Sequence, residues 1–302
     1  MPRPVGPNWR VDAISLQGGR VWTPISVISP PLVASSNTTN VVWLDPSDIY
    51  TLPSGAVVNG GSINRVLDKS GNNHHAIQNT LARQPIVVMN GLNGMITLRF
   101  NGLAGSSGTA LTCDTGTWGP GGYPAIFAVG SRSATGTSYR CMINLGHTGA
   151  ISNTHAFFGA RDNNFTTFFG TGNNITWNDT LANTPNISML NNFSIWSVIN
   201  NSSTGLATPY VNGTAQNTKN GTMGALATGY RVGSAGGSTT TQNFAGDIAE
   251  IIIIPSGYVT TDIQLKFEGY LAHKWGLTAS LPPDHLYRNV PPMITPAAQP
   301  RY

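Results

Sequence analysis

The feature of this sequence that most constrains its fold is a succession of short apolar segments separated by turn-forming residues. The segments are rich in β-branched and aromatic residues and are bounded by Gly, Asn, Pro or Asp, a pattern typical of β-strands. The predicted strands are 41–45, 84–89, 95–100, 124–130, 139–146, 155–160, 192–200, 208–213, 230–234 and 247–255. Several, such as "FSIWSVI", are apolar on both faces, which favours central strands of a two-layer sandwich. The sequence therefore predicts an all-β protein.

One segment near the C-terminus has the periodicity of a helix instead. Residues 261–275 carry a stripe of apolar side chains at helical spacing. The stripe consists of Ile263, Phe267, Tyr270, Leu271 and Trp275. Thr261 and Gln264 have the spacing of a capping box, and Gly276 stands where a helix commonly ends. We expect one amphipathic helix that covers an edge or end of the sandwich. Its polar face is predicted to carry Lys266, Glu268 and His273.

Both ends of the chain are rich in proline, which prevents long regular elements. Residues 1–40 are too apolar for a free disordered tail, so they are either a linker or an extended arm that buries its aromatic residues on a partner. The arm is the interpretation we prefer. Its docking residues would be Trp9, Leu16, Trp22, Ile25 and Ile28. Residues 41–287 then form the folded domain, and 288–302 form an extended C-terminal tail.

Charge and composition limit the classes of partner. Only 9% of residues are charged, against about 25% in typical globular chains. Low surface charge favours association, so we expect contacts with neighbouring proteins. The 16 Lys and Arg residues are scattered singly, so no nucleic-acid partner is predicted. No apolar run approaches the length of a membrane span, and the first residues lack the apolar region of a signal peptide.

The chain has two cysteines, Cys113 and Cys141. They could pair if their strands are neighbours, but two cysteines do not make a disulfide framework in a chain of this length. We expect a reduced pair of core thiols.

A resemblance to a known family comes from six segments. They are "VVWLDPSD" (41–48), "INRVLDKSGNNHHAIQ" (63–78), "RQPIVVMNGLNGMITLRFNG" (83–102), "YRVGSAG" (230–236), "FAGDIAEIIIIP" (244–255) and "FEGYLAHKWGLTASLPPDHLY" (267–287). The most specific parts are "YLAHKWGL" and then the "DKSGN" turn. Together they resemble the laminin-G-like branch of the concanavalin A-like lectin/glucanase superfamily, of the kind found in phage virion proteins and bacterial surface proteins. The resemblance implies a two-sheet antiparallel jelly-roll sandwich with one C-terminal helix and extended N- and C-terminal arms. It does not imply one function, because this fold serves lectins, hydrolases, adhesins and structural modules.

The acidic residues argue against an enzyme. Glycoside hydrolysis needs two carboxylates flanking the scissile bond, and glucanases of this superfamily place them in a Glu-x-Asp-x-x-Glu pattern. This chain has only two glutamates, Glu250 and Glu268, and no strand carries that pattern. Asp247 and Glu250 are three residues apart, so on a regular strand they would face opposite sides. We interpret these two residues as part of the start of a strand that carries a buried, hydrogen-bonded acid. We expect no catalytic residues in the chain.

Two loops have the composition of a sugar-binding site, which combines aromatic faces with Asn and Asp. The candidate residues are Trp118, Tyr123, Asp162, Asn163, Trp177, Asn178 and Asp179. An alternative interpretation is that each Trp caps the core or lies at a subunit interface, because aromatic residues serve interfaces equally well.

No cofactor is predicted, and calcium is the one metal for which a candidate ligand exists. Calcium prefers oxygen ligands, and Asp68 in "DKSGNN" could supply one. Asp68 is more often a turn-former, with Gly71 in the left-handed conformation. His74 and His75 are adjacent, so on a strand their side chains would point apart and would not easily share a metal.

These observations favour a non-enzymatic structural protein of a virus particle: a capsid decoration, head-fibre or tail-associated protein of a bacteriophage. Its partners would be other virion proteins and copies of itself, in a trimer as one option, and it would be assembled in the host cytoplasm. The alternative is a glycan-binding adhesin or lectin module that acts outside the cell or at its surface. A glycoside hydrolase is the third choice.

Overall fold

The computed structural model describes most of the predicted domain. The described residues are 41–115, 124–133, 139–146, 156–161, 191–201, 206–216, 219–220, 228–235, 242–255 and 259–292. The predicted arm (1–40) lies outside them, as does the tail beyond 292. Within the described part, no helix has the length and apolar character needed to cross a membrane.

Every predicted segment contains a strand. In chain order the strands are β1 (Val42–Leu44), β2 (Arg65–Val66), β3 (Ala76–Ile77), β4 (Ile86–Leu92), β5 (Met95–Asn101), β6 (Leu111–Cys113), β7 (Ala125–Arg132), β8 (Tyr139–Leu145), β9 (Ala156–Arg161), β10 (Ser194–Asn201), β11 (Leu206–Val211), β12 (Thr214–Ala215), β13 (Lys219–Asn220), β14 (Tyr230–Val232) and β15 (Ala245–Ile254). The helix α1 spans Thr261–Trp275, and short 3-10 helices span Ile49–Thr51, Leu81–Arg83, Gly105–Ser107 and Thr278–Ser280. The strands that were not predicted are β2, β3, β6, β12 and β13, which are too short to show an alternating pattern.

The described strands form two antiparallel sheets. In the larger, nine-stranded sheet the order is β12-β11-β10-β7-β15-β5-β4, with β1 paired to β15 and β13 paired to β11. In the six-stranded sheet the order is β2-β3-β6-β14-β8-β9. Strands adjacent in the sheets are often distant in the chain, as a jelly roll requires. The predicted fold class, an all-β two-sheet jelly-roll sandwich with one helix, is confirmed.

Two separate apolar layers hold the fold together. Side chains from both sheets fill the space between them, including the wholly buried Trp196 and Tyr230. The second layer lies between the outer face of the nine-stranded sheet and α1, where Phe267 packs on Phe127 with ring centroids 4.9 Å apart. The helix therefore covers an outer sheet face, and the prediction that it covers an edge or end is wrong.

The helix α1 has the predicted bounds, but its N-terminal capping residue differs from the prediction by one position. The N-terminal cap is Thr260, whose side chain accepts a hydrogen bond from the backbone N–H of Ile263. The capping box predicted from Thr261 is not formed, because Gln264 donates to Glu268 instead. The helix ends as predicted at Gly276, whose φ of 70° is a left-handed value that glycine adopts without strain.

The chain after α1 folds back along the helix. His273 Nε2 lies 2.9 Å from the carbonyl oxygen of Tyr287, and Arg288 donates to the carbonyl of Leu281. Gly269 permits this close approach, since a Cβ at that position would overlap the Tyr287 side chain. The described part of the proline-rich tail is therefore packed on the domain.

Candidate functional site

A buried carboxylate lies beneath α1. Glu250 on β15 has no exposed surface and accepts hydrogen bonds from Trp43 Nε1 (2.6 Å) and Tyr270 Oη (2.9 Å). It also accepts from Lys274 Nζ (2.8 Å) and Trp275 Nε1 (2.7 Å). Burial, together with the adjacent charge of Glu250, raises the pKa of Tyr270 well above its ordinary value. With four donors on its two oxygens, Glu250 has no capacity left for a substrate.

The same cluster continues through a chain of ion pairs. Lys274 bridges Glu250 and Asp45 at 2.8 Å each, and Lys69 bridges Asp45 at 2.8 Å and Asp48 at 3.0 Å. Burial alone would raise the pKa of Asp45, but Lys274 and Lys69 outweigh burial and hold that pKa well below its usual range. Burial alone would lower the pKa of Lys69, and Asp45 with Asp48 raises it instead. Asp45 and Lys69 therefore stay ionised at neutral pH.

We call these residues the Glu250 cluster. Its members are Trp43, Asp45, Asp48, Lys69, Glu250, Tyr270, Lys274 and Trp275. They come from four of the six segments that carry the family resemblance, namely 41–48, 63–78, 244–255 and 267–287. These four segments thus meet in one buried polar cluster that fastens α1 and the 68–73 turn to the nine-stranded sheet. Their role in the described structure is to hold elements together.

The depressed pKa of Asp45 predicts how stability depends on pH. Because the folded-state pKa lies below the unfolded one, the ionised carboxylate stabilises the fold fully above about pH 4, and this contribution is lost as the pH falls toward the folded-state value. Asp45→Asn should lower the free energy of unfolding by about 2–4 kcal/mol at pH 7. The difference between wild type and variant should shrink on acidification from pH 7 to pH 3 in urea unfolding. Asp262→Asn, on the exposed face of α1, should show no comparable pH-dependent difference.

The second glutamate is also structural. Glu268 was predicted on the polar face of α1, but it has no exposed surface. It accepts from Ser197 Oγ at 2.8 Å and Gln264 Nε2 at 3.1 Å, and His285 Nε2 lies 3.4 Å away. The prediction is wrong because the helix is covered on two sides, by the sheet and by the chain segment that follows it. Only the side bearing Lys266, which pairs with Asp262 at 2.6 Å, stays partly exposed.

The prediction that Asp247 and Glu250 face opposite sides of a strand is also wrong. The ladder between β15 and β7 shifts register between Ile248 and Glu250, so Ala249 and Glu250 both face α1. Asp247 precedes the inward-facing Ile248 and so lies on the outer face as well. There it forms a two-pronged ion pair with Arg99, at 2.7 and 2.8 Å. Because Arg99 occupies the Asp247 carboxylate and Glu250 is buried among its own donors, these two acids are not placed to act together as a catalytic pair.

Asp68 forms the turn that its sequence context predicts. Its Oδ1 accepts from the backbone N–H groups of Trp43 and Ser70, both at 2.9 Å. Its Oδ2 accepts from Ser70 Oγ at 2.7 Å and from the N–H of His74 at 3.1 Å, while Gly71 has a φ of 86°. A calcium ion at Asp68 would have to displace these donors.

Calcium binding at Asp68 stays a prediction. The hydrogen bonds of the Asp68 carboxylate indicate what a calcium titration should show. Because four donors already satisfy the carboxylate, neither added calcium nor EDTA should shift the melting temperature measurably. Asp68→Ala, by contrast, should lower the free energy of unfolding by about 2–4 kcal/mol, since it leaves buried backbone N–H groups without acceptors. A rise of several degrees with calcium in the wild type, absent from Asp68→Ala, would contradict this expectation.

The histidines and cysteines are dispersed. His75 Nδ1 accepts from the N–H of Asp68, whereas His74 Nδ1 lies 3.1 Å from Thr115 Oγ1. Among the described residues, no group of three or more His, Cys, Asp or Glu side chains could hold a metal ion. Cys113 and Cys141 are both buried and neither forms a disulfide, with β14 between their strands. Two strand spacings of about 4.8 Å exceed the reach of a disulfide, so the expected reduced pair is what the structure has.

The predicted sugar-binding residues lie outside the described part of the chain. These are Trp118, Tyr123, Asp162, Asn163, Trp177, Asn178 and Asp179. Both loops leave strands of the six-stranded sheet, after Cys113 and after Arg161. The ladders place these two strand ends at opposite ends of the sheet. Cys113 and Leu145 both pair with Tyr230 of β14, so Cys113 lies beside the last residue of β8. Arg161 pairs with Tyr139, the first residue of β8.

The outer face of the six-stranded sheet presents a row of polar and basic side chains. Cross-strand pairing aligns Arg65, Ile77, Thr112, Arg231 and Asn144 on β2, β3, β6, β14 and β8. Arg65 and Ile77 are exposed, Thr112 and Arg231 are half-buried, and Asn144 is buried beneath the 233–235 segment, donating to the carbonyl of Ala235.

A further arginine lies beside this row. The backbone carbonyl of Arg83 accepts a hydrogen bond from the N–H of Ala110, next to β6. The side chain of Arg83 is half-buried. Burial, together with the charge of Arg83, lowers the pKa of Arg231 to about 10, an effect that nearby Asp114 partly opposes. We call Arg65, Ile77, Arg83, Thr112 and Arg231 the arginine face. The row could not be foreseen, because its members come from distant parts of the chain.

Comparison with known proteins identifies the fold. No protein-family model and no curated protein sequence matches the chain. Among solved structures, an arabinofuranosidase of glycoside hydrolase family 54 is 15% identical, with a TM-score of 0.50 over 71% of this chain and 51% of its own. The binding domain of botulinum neurotoxin serotype D is 14% identical (TM-score 0.47; 80% and 53%), and domain 4 of the Geobacillus stearothermophilus arabinanase AbnA, in complex with arabinotriose, is 12% identical (0.45; 63% and 86%).

The chain spans about half the length of the first two of these structures. At such identities the likeness concerns architecture alone. What the chain shares with the arabinofuranosidase is the two-sheet β-sandwich, and on that ground it is a jelly-roll sandwich protein.

Proposed function

We propose that the chain is a non-enzymatic binding module whose ligand is a glycan. The observation that carries the proposal is the difference between the two outer sheet faces. One is covered over β7, β10 and β15 by α1 and the Glu250 cluster. The other carries the arginine face, on which Arg65 and Ile77 are exposed and Arg83, Thr112 and Arg231 are half-buried. Flat sheet faces with hydroxyl, amide and guanidinium groups can hydrogen-bond a sugar chain along its length.

The absence of catalysis is part of the proposal. The described part contains nine aspartates and glutamates. Those with hydrogen-bonded or ion-paired carboxylates are Asp45, Asp48, Asp68, Asp247, Glu250, Asp262 and Glu268. The hydrolase mechanism requires two carboxylates that reach the substrate from either side. The only glutamates of the chain, Glu250 and Glu268, are both without exposed surface. This supports a binding role.

The neighbouring structures are compatible with this role, since one of them is described in complex with arabinotriose. The six resembling segments support the finer assignment to the laminin-G-like branch, and the loops with Trp118 and Trp177 would supply aromatic contacts to a sugar. We place the principal contact on the described sheet face and treat the loops as its extensions.

A glycan array probed with the purified full chain tests the proposal. We expect a defined set of glycans to bind, and Trp118→Ala or Trp177→Ala to weaken binding without changing the melting temperature. Absence of any glycan signal, together with a defined oligomer by light scattering, would instead favour a module held by protein contacts.

A second candidate is display on a virus particle through the N-terminal arm. Its support is the apolar, proline-rich sequence of residues 1–40 ahead of the folded domain and the low charge of the chain. The two roles are compatible, because an arm can anchor a module that binds a host-surface glycan. Deleting residues 1–33 should leave a folded β domain that no longer assembles into particles. Normal incorporation of the truncated chain would show that the arm is not the anchor.

A further inference from the structure

We infer that the Asn93–Gly94 pair is a site of spontaneous covalent modification, at which Asn93 is converted to aspartate or isoaspartate. The pair forms the tip of the hairpin between β4 and β5, where this hairpin touches the end of α1. The inference does not rest on the proposed glycan binding.

The reaction requires only this chain and water. The backbone nitrogen of Gly94 attacks Cγ of the Asn93 amide and gives up its proton, while the bond from Cγ to Nδ2 breaks and ammonia leaves with that proton. A five-membered imide ring remains. Water then opens the ring at one of its two carbonyl carbons. Opening at Cγ gives aspartate, and opening at the main-chain carbonyl gives isoaspartate. Glycine favours the attack because it has no side chain beside the nitrogen.

Five Asn-Gly pairs lie in the described part of the chain, at 59–60, 90–91, 93–94, 101–102 and 212–213. Closing the ring requires the peptide between the two residues to rotate out of its native conformation. A pair that is held by hydrogen bonds must break them before it reacts. The pairs should therefore differ in rate although they share the same two residues.

Two of the pairs are held by hydrogen bonds of the asparagine side chain. Asn212 is buried, and its Oδ1 accepts from the backbone N–H of Ile195 at 2.8 Å. Asn101 Oδ1 accepts from the N–H groups of Leu103 and Thr109 at 3.1 and 3.0 Å. Because both amides are fixed in this way, neither can turn toward the next nitrogen without breaking these bonds.

Two further pairs are restrained at the glycine. In the pair 59–60 the glycine N–H, whose nitrogen would have to attack, donates to the carbonyl of Val87 at 2.8 Å. In the pair 90–91 the glycine lies so close to Thr97 that a Cβ there would overlap the Thr97 hydroxyl. Little room is left for that peptide to rotate. Each restraint should slow the closing of the ring.

The pair 93–94 has none of these restraints. Both residues are exposed, and apart from the chain neighbours no atom lies within 4 Å of the position that a Cβ on Gly94 would take. Neither the Asn93 amide nor the Gly94 N–H makes a hydrogen bond to another described residue. The φ values of 50° and 78° suit a two-residue hairpin turn, which the pairing of Leu92 with Met95 maintains from outside.

The product would change a contact with α1. Cγ and Nδ2 of Asn93 lie 3.0 Å from the position that a Cβ on Gly276 would take, at the end of the helix. The last carbonyl groups of a helix carry partial negative charge, so a carboxylate at this point is repelled where the neutral amide is not. Lys274, a cation of the last turn, already lies between Asp45 and Glu250 at 2.8 Å each. Deamidation should therefore loosen the hairpin from the helix.

Peptide mapping by mass spectrometry of the full chain, aged at mildly alkaline pH, tests the inference. In the folded protein we expect Asn93 to be converted at least about tenfold faster than Asn101 or Asn212, the effect of roughly one hydrogen bond that need not be broken. In urea, where no pair is held, the three rates should become similar. Equal rates in the folded protein, no conversion of Asn93, or a difference that persists in urea would overturn the inference.

The variant Asn93→Asp imitates one product and tests its effect on α1. Because Asp-Gly forms the same hairpin turn as Asn-Gly, a loss of stability would come from the new charge. We expect a lower midpoint of urea unfolding, partly restored by salt. Asn79→Asp adds the same charge at an exposed position after β3 and should leave the midpoint unchanged. Equal midpoints for Asn93→Asp and the wild type would overturn the expected effect on the helix.

Discussion

Replacing Glu250 by alanine should lower the free energy of unfolding by about 3–5 kcal/mol, the range for breaking a buried ion pair by removing one partner. The substitution leaves Lys274 with Asp45 as its remaining described carboxylate, and it leaves the indole N–H groups of Trp43 and Trp275 without their acceptor. Because the site is wholly buried, water cannot replace the lost oxygens without opening the layer beneath α1. Equilibrium unfolding in urea, followed by circular dichroism, measures the effect.

Two further variants show whether the charge or only the volume of Glu250 matters. Glu250→Gln keeps the shape and some acceptor capacity, so its cost should fall between those of the wild type and Glu250→Ala. Lys266→Ala removes one partner of the exposed ion pair on the same helix and should change stability by no more than about 0.5 kcal/mol. A cost below about 1 kcal/mol for Glu250→Ala would contradict the view that this cluster fastens the helix to the sheet.

The sequence predicted the strands and the helix because their signals are local. Alternation of β-branched and aromatic residues, bounded by turn formers, identifies a strand from its own residues. The apolar stripe of α1 and the glycine that ends it are equally local, and both lie where expected. The strands that were missed have only two or three residues and no periodicity to read.

The environment of the acidic residues could not be predicted in the same way. Glu250 contacts Trp43 across 207 positions of sequence, and Glu268 contacts Ser197 across 71. A helical wheel places Glu268 off the apolar stripe and says nothing of the returning chain that buries it. The bulge in β15 likewise depends on its neighbours, because it lies where the strand exchanges its partner β5 for β1. Such contacts follow from the topology, which local patterns do not encode.

The family-like motifs illustrate why a resemblance predicts a fold more readily than a ligand. Four of the six segments contribute side chains to the Glu250 cluster, on the side of the sandwich away from the arginine face. They fix how α1 and the 68–73 turn attach to the sheet. Arg65, Arg83 and Arg231 also lie within the resembling segments, but their proximity emerges only from the order of strands β2, β3, β6 and β14. The resemblance therefore predicts the fold without predicting which side chains meet on the outer face of a sheet.

Phe267→Ala should lower the free energy of unfolding by about 3–5 kcal/mol, the usual cost of deleting a buried aromatic ring. Phe267 has no exposed surface and packs on Phe127 in the layer that joins α1 to the nine-stranded sheet. The cavity would be enclosed between helix and sheet, where the β-sheet backbone can collapse only partly. Thermal and urea unfolding of the variant measure the loss, and Phe267→Leu, which fills most of the volume, should recover more than half of it.

The same variant tests where the ligand binds. Because α1 and the arginine face lie on opposite outer surfaces, Phe267→Ala should weaken the fold yet leave the affinity of the folded fraction for its glycan ligand unchanged. Arg65→Gln should do the reverse, since Arg65 is exposed and lies outside both apolar layers. If Phe267→Ala abolished binding at a temperature where the variant is fully folded, the ligand would lie on the helix side and the assignment to the six-stranded sheet would be wrong. Stability and binding are thus expected to separate onto the two faces of one sandwich.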